Sequence, residues 1–352
     1  MSEWKKTYLR DLIVIKNGKD HKKLKNGQYP VYGSGGIMRY ADSYLYDQES
    51  VLLPRKGTLN NIQFVTDPFW TVDTCYYTVV NKDKVLPYFL YCCLCKMDIQ
   101  SLNTGSAVPS MTFEKYYSIE VPIPPLSTQH RIASILSRYD SLIENYQKQI
   151  KLLEEAAQRL YKEWFIDLRF SGHENTNIID GVPEGWEKKS ITDVLEIKYG
   201  KDHKLLKEGT IPVYGTGGIM RYVEKSLFTG ESVLIPRKGS LNNIMLVGGT
   251  FWTIDTMFYS IPKENNVAKI VYFYLKGVDM YSFNIGAAVP SMTVNILSGM
   301  KLLVPNEDVK NKFETIASKY FIRIQSLQSQ LRLLTEARDR LLPKLMSGEI
   351  AI

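Results

Sequence analysis

One stretch of this chain is written twice, and that constrains the fold more than any other feature. Leu52–Ile62 returns as Leu234–Ile244, identical at nine of eleven positions. Tyr32–Tyr40 returns as Tyr214–Tyr222, Gly18–Lys22 as Gly200–Lys204, and Phe69–Thr74 as Phe251–Thr256, all at an offset of 182 residues. Ala107–Thr112 returns as Ala288–Thr293 at an offset of 181, so one residue was lost between the blocks. A period this long is not that of a solenoid. It is a tandem duplication of a whole domain together with the helical segment after it. Trp4 aligns with Trp186, Pro183–Trp186 reads as the turn that opens the second copy, and Ser171–Asn177 is a short polar linker.

Each copy divides into a globular and a helical part. Over 1–125 and 181–305, β-branched and aromatic runs such as Ile62–Val65 and Thr71–Val80 alternate with Gly, Pro and Asn, so they predict strands joined by turns. Pro87–Met97 is apolar without alternation and predicts a buried helix, which makes the globular parts α+β. The chain of 352 residues is 44% hydrophobic, ample for two such cores.

The helical parts show apolar residues stepping by three and four. The first stripe starts at Ile132 and runs through Ile135, Tyr139, Leu142, Tyr146, Leu153 and Leu160. The second carries Ile316, Tyr320, Leu327, Leu334 and Leu341, with Gln149, Arg323 and Gln330 at seam positions. This is coiled-coil spacing held over about four heptads. Each run has about 40 residues, or about 60 Å of helix. Neither stripe can stay in water. One solution packs each helix on its own globular domain. The other pairs the two helices, antiparallel if the copies are related by a pseudo-two-fold axis.

Catalytic chemistry has no visible home. A dinucleotide fingerprint begun at Gly33 would need glycine at Met38. No phosphate-binding P-loop occurs, and Ile123–Leu126 lacks the polar and aromatic residues of an adenine methyltransferase motif. The four cysteines, Cys75, Cys92, Cys93 and Cys95, lack a second pair at zinc spacing, so they read as buried thiols of a reducing compartment. No long apolar run follows Met1–Lys6 and none elsewhere is long enough to span a bilayer, which predicts a cytoplasmic protein with no leader, no catalytic site, no metal and no membrane partner.

What is left is a set of polar loops, each present twice. Lys19 and Lys22 sit with Lys16, Lys23 and Lys25 around Asp20, and Lys201 and Lys204 repeat the pattern between Lys198 and Lys207. Such a cluster suits phosphates, or is simply a solvated face. Arg39 and Arg221 follow glycine-rich turns. Arg55, Lys56, Asn60 and Asn61, with Arg237, Lys238, Asn242 and Asn243, fall in one turn per copy. Arg forks suit guanine and Asn amides suit adenine in the major groove; equally, the asparagines can satisfy their own backbone. Ser110 and Thr112, with Ser291 and Thr293, can cap a helix or bond phosphate. The net charge of +7 permits nucleic acid without demanding it. An adaptor whose helices scaffold enzymes fits the same composition.

At this point the residues point to a family. Tyr32–Tyr40 with Leu52–Ile62 and Phe69–Thr74, Pro183–Trp186, Val121–Ile132 and Leu341–Ile350 resemble the specificity subunits of type I restriction-modification systems across essentially the full length. The resemblance implies two target-recognition domains, 1–125 and 181–305, separated by a pseudo-two-fold pair of long antiparallel coiled-coil helices. A central spacer helix would occupy 126–165, a linker 166–180, and a C-terminal spacer helix and tail 306–352. Each domain would read half of a bipartite double-stranded DNA target, near-palindromic because the reading turns are near identical. The helices would set the spacer and dock two methyltransferase subunits, joined by restriction and motor subunits. S-adenosylmethionine, ATP and Mg would belong to those partners and none to this chain. The second copy departs from the pattern where Pro305–Asn311 replaces the Pro-Pro-Leu-Ser-Thr-Gln-His form, which leaves the start of that helix open.

Overall fold

The computed structural model describes residues 4–105, 107–286 and 288–350. Met1–Glu3, on which part of the leader reading rests, Ser106, Ala287 and the last two residues lie outside it. The chain divides into two compact units: residues up to Gln147 together with those from Ser329 onward, and Lys148–Gln328. Both long helices change unit part-way along, so each unit holds one globular part and a segment of each helix.

In the first unit, β1 (Lys5–Tyr8) pairs antiparallel with β9 (Glu120–Ile123). The strands β2 (Ile13–Lys16), β5 (Ser50–Pro54), β6 (Gln63–Val65) and β8 (Cys75–Val80) form an antiparallel sheet in the order β2-β8-β5-β6. A second sheet, in the order β4-β3-β7, sets β3 (Tyr29–Gly33) between β4 (Gly36–Ala41) and the short β7 (Trp70–Thr71). β5 is buried at every residue, as the apolar run Val51–Pro54 requires for a strand covered on both faces. Its Ser50 hydroxyl donates to the Thr78 carbonyl at 2.8 Å, which satisfies a polar group that would otherwise be costly inside the core. Helix α1 (Pro87–Cys95), with proline in its first turn, packs Phe89 and Leu90 onto this sheet, and the short α2 (Phe113–Tyr117) adds Tyr116.

The second unit repeats the plan. Its sheets are 195–199, 257–262, 232–236 and 245–247 in that order, then 218–223, 208–215, 250–253 and 228–229, with 187–190 paired to 301–304. The register matches as well: Lys5 faces Ile123 in one copy and Glu187 faces Val304 in the other.

The helix α3 spans Leu126–Tyr161 and ends in a π-turn over Lys162–Ile166; the C-terminal helix spans Glu307–Ser347. Both packing solutions hold at once. In the first unit, Ile132 and Leu136 of α3 share a core with Phe89 of α1 and with Leu345 and Met346 of the C-terminal helix, with Ile135 and Leu341 packed at its margin. Further along α3, Asp140 accepts from Tyr88 at 2.6 Å and from Arg338 at 2.9 Å. The two segments therefore run in opposite directions. In the second unit Trp164 and Phe165 lie 5.8 and 4.8 Å from Phe313, while Arg323 donates to Gln149, the pair that the spacing placed in the seam. Leu160, Ile316 and Tyr320 line that core, and Leu327 is fully buried. Tyr139, Tyr146, Leu153 and Leu334 are half-buried. Leu142 is a correction: it is 44% exposed while Ile143 beside it is buried. A helix that lies against α1 as well as the other helix buries a broader face than a two-helix seam, and that face is turned by one residue.

The start of the second long helix is also settled. Asn306 is its N-cap, accepting from the Val309 amide at 3.1 Å. In the first copy Gln129, fully buried, accepts from the Leu86 amide and donates to the carbonyls of Lys84 and Pro124. Its counterpart one offset of 181 along is Lys310, 2% exposed, which pairs with Glu264 at 2.8 Å and Glu307 at 2.5 Å.

Candidate nucleic-acid interface

Four loops meet in the first unit. The lysine loop runs from Gly18 to Lys25. Its Asp20 carboxylate folds back to accept from the Lys22 amide at 3.0 Å, and that backbone hydrogen bond holds the acid below its ordinary range. The negative charge is thus spent locally, while Lys19 and Lys22 point outward and exposed. Asp202 and Lys204 repeat this at 3.0 Å, with Lys201 exposed. Lys198 differs from the rest of its cluster, because Glu196 pairs with it at 2.5 Å.

The β3–β4 hairpin lies beside this loop and is bound to it. Arg39 donates to the Leu24 carbonyl at 3.0 Å and to Asn26 Oδ1 at 3.1 Å, and Arg221 donates to the Leu206 carbonyl at 2.9 Å. From the other side the Trp70 indole donates to the Lys19 carbonyl at 2.9 Å. Both arginines are half-buried and positioned by these bonds, so their forks brace the lysine loop.

The turn after β5 holds the third set. Gly57 adopts a φ of +88°, open to glycine at little cost, and its amide donates to the Pro109 carbonyl at 2.9 Å. Arg55 donates to the Asp73 carbonyl at 3.3 Å and lies over the Tyr76 ring; Arg237 does the same with Asp255 at 2.9 Å and the Tyr199 ring. Asn60 donates to Asp98 at 3.2 Å and accepts from the Gln100 amide at 2.8 Å, and Asn242 repeats both bonds with Asp279 and Met280. Asn61 donates to the Ser34 carbonyl at 2.8 Å and Asn243 to that of Thr216 at 2.6 Å, which tie the turn to the hairpin tip. These asparagines therefore neither satisfy their own turn nor stand free for bases: their amides are taken up by groups of neighbouring loops, 27 to 40 residues away in the chain. Lys56 and Lys238 stay exposed beside them.

The fourth loop contains Ser110 and Thr112. Ser110 pairs through its backbone with Lys56, as Ser291 does with Lys238. Thr112 caps α2 by accepting from the Lys115 amide at 3.3 Å, and Thr293 caps 294–299 from Ile296 at 3.4 Å. Asn103, which no sequence motif marks, organises this loop. Its Oδ1 accepts from the amides of Gly105 and Ser110 at 2.8 and 2.7 Å, and Asn284 does the same in the second copy. An Asn seven residues before a serine has no distinctive spacing, so only the repeat offset could have pointed to it.

The structure thus brings the predicted residues together and separates them into two classes. Arginines and asparagines hold loops to one another, while Lys19, Lys22, Lys56, Lys201, Lys204 and Lys238 project exposed ammonium groups. Among the described residues no group of three or more His, Cys, Asp or Glu is placed to hold a metal ion, and no helix is long and apolar enough to cross a membrane. The thiols of Cys75 and Cys92 are pushed up to about 12 by burial.

A duplicated α+β domain with basic loops braced on a rigid sheet, followed by a long helix, defines a paired recognition module. The chain belongs to the family described as the type I restriction modification DNA specificity domain, whose model matches residues 1–155 and again 183–332. It is similar to the type I restriction enzyme MjaIX specificity subunit of Methanocaldococcus jannaschii, at 26% identity over 88% of this chain and 79% of that protein. It is also similar to the type I restriction enzyme HindI specificity subunit of Haemophilus influenzae, at 21% identity over 77% of this chain and 79% of that one. The crystal structure of the type I restriction-modification S subunit from M. genitalium shares the fold, with a TM-score of 0.73 at 20% identity, over 98% of this chain and 96% of that one.

Proposed function

We propose that the chain is the non-catalytic, DNA-reading subunit of a type I restriction-modification enzyme, and that each globular part reads one half of a bipartite, near-palindromic duplex target. The observation that carries this is the matched loop assembly. Two copies of the same braced turns, with the same lysines left exposed, suit two copies of one recognition element. Lys19, Lys22, Lys56 and their counterparts contact phosphates and set position, while the braced turns carry the base-reading surface. The long helices set the spacer and dock two methyltransferase subunits, with restriction and motor subunits joining them. Those partners supply S-adenosylmethionine, ATP and Mg; this chain binds none of them. Four free cysteines, three of them buried, support work in the reducing cytoplasm.

The test is methylation mapping in cells that express the chain with its methyltransferase partner. The expected result is a split motif whose halves are inverted near-copies. Two unrelated half-sequences would overturn the symmetric reading, and absence of any chain-dependent methylation would overturn the function.

A further inference from the structure

The β3–β4 hairpin exposes apolar side chains that neither the fold nor the phosphate contacts use. Ile37 is 50% exposed and Met38 58%; in the second copy Ile219 is 50% and Met220 57%. Exposure that repeats this closely in two copies is a property of the hairpin's design. β4 is the edge strand of its sheet, and 218–223 is the edge strand of the matching one, so each hairpin is a two-stranded ribbon with one free side.

Both ribbons are bulged at the same place. Val31 faces Arg39 but Tyr32 faces Ile37, which leaves Met38 as the extra residue; Val213 faces Arg221 and Tyr214 faces Ile219, which leaves Met220. A bulge re-aims the side chain it carries. Met38 lies across Gly33, where a Cβ would come within 2.8 Å of the sulfur, and Met220 lies across Gly215 in the same way. The methionine thus lies on a glycine shelf while more than half of it stays exposed. Edges that only need protection from other strands carry charge; here the charge, Arg39 or Arg221, is drawn to the lysine loop and isoleucine and methionine are left exposed.

The surroundings say what covers them. From Pro30 to Ala41 there is no acidic side chain. Arg39 fixes the lysine loop against the hairpin, so the loop with the exposed Lys19 and Lys22 and the strand with the apolar pair are held together. A polyanion that also presents apolar groups fits this surface. A two-stranded ribbon enters the major groove of duplex DNA, and the apolar feature there is the C5 methyl of thymine. We infer that Ile37 and Met38, with Ile219 and Met220, contact thymine methyl groups and so select thymine at one position or more in each half of the target. This rests on the DNA-reading function above and adds residues to it.

The probe is the mapped target duplex with single thymines replaced by deoxyuridine, which removes the methyl group and nothing else. Binding is measured with the full chain in complex with its methyltransferase partner. We expect at least one replacement in each half to weaken binding about fourfold, the worth of one buried methyl-sized group. The replacement in one half should lose its effect in Ile37→Ser/Met38→Ser and that in the other half in Ile219→Ser/Met220→Ser. A target lacking thymine in either half, a parent complex indifferent to every replacement, or replacements that act equally in parent and variants would overturn the inference. A parent complex that shows no selective binding at all indicts the DNA-reading function instead, and because the replacements are made in the DNA, their effect on the parent is independent of how the variants fold.

Discussion

Asparagines and lysines share the same loops, yet their removal should read out differently. Asn60→Ala deletes a bond to Asp98 and orphans the Gln100 amide, so we expect a stability loss of about 1 kcal/mol and a lower thermal midpoint. Lys22→Ala touches an exposed ammonium, so stability should stay within about 0.5 kcal/mol while the slope of log affinity against log salt falls by about one. A melting curve and a salt titration on each variant separate the two roles; equal effects on both measurements would contradict the assignment. This division marks the limit of what was legible at the residue scale. Residue types such as Arg39 and Asn61 are compatible with bases and with backbone alike, and only the loop geometry shows that they face Leu24 and Ser34. Met38 was invisible for the opposite reason. An apolar residue in a strand normally turns inward, and the bulge that turns it outward leaves no mark in composition.

The two long helices were legible as elements because their spacing persists and neither glycine nor proline interrupts it before Pro343. The orientation of the buried face was not, since it depends on α1 as well as the second helix; Ile143 buried beside exposed Leu142 records that. Nor was it legible how each helix is anchored, because Gln129 and Lys310 occupy equivalent places with unlike chemistry. Lys310 is buried between Glu264 and Glu307, and Lys189 bonds Glu264 from the other side at 2.6 Å. Burial opposes charge on Glu264, but hydrogen bonds from Lys189 and Lys310 outweigh it and hold the carboxyl below its usual 4.5. A depressed acid stabilises the fold above its unfolded pKa, and the contribution is lost as pH falls through the lower folded value. The uncharged Gln129 anchor has no such dependence. Hydrogen exchange as pH falls below about 4.5 should therefore loosen 309–317 before 132–136. Lys310→Ala should cost about 2 kcal/mol, because it removes a buried ammonium bonded to Glu264, which keeps Lys189 as its remaining cation. Equal protection of the two segments at low pH would rule out the ionic anchor. The same elements carry a prediction about spacing: two extra turns in both helices add about 11 Å, or about three base pairs, to the gap in the methylated motif.

At the scale of the molecule the duplication was readable almost whole, since an offset of 182 carries hairpin and turn, and one of 181, after a single lost residue, carries the cap. Residues that differ between the copies at equivalent places are then the only source of asymmetry in what the chain reads. Thr58 and Ser240 differ in the reading turn, Lys23 and Leu205 in the lysine loop, and Ala41 and Val223 at the end of the hairpin. None of these changes alters the main bracing: Asn60 and Asn242, and Asn61 and Asn243, keep matching partners, and Arg39 and Arg221 keep the carbonyls of Leu24 and Leu206, although the second acceptor of Arg39, Asn26, is replaced by Glu208. Reading surfaces built on one scaffold, with Thr58/Ser240 and Lys23/Leu205 exposed and Ala41/Val223 buried beneath, should read half-sites that differ at few bases. Replacing 181–305 by a second copy of 1–125 removes every such difference while leaving Leu126–Tyr161 and Glu307–Ser347 in place. The chimera should methylate an exact inverted repeat of the first half-site with the parental gap, because the spacer elements are unchanged. Mapping its methylome decides the matter: a motif whose second half still follows the parent would mean that specificity resides outside the globular parts, and the duplication would then be a record of ancestry with no bearing on the target.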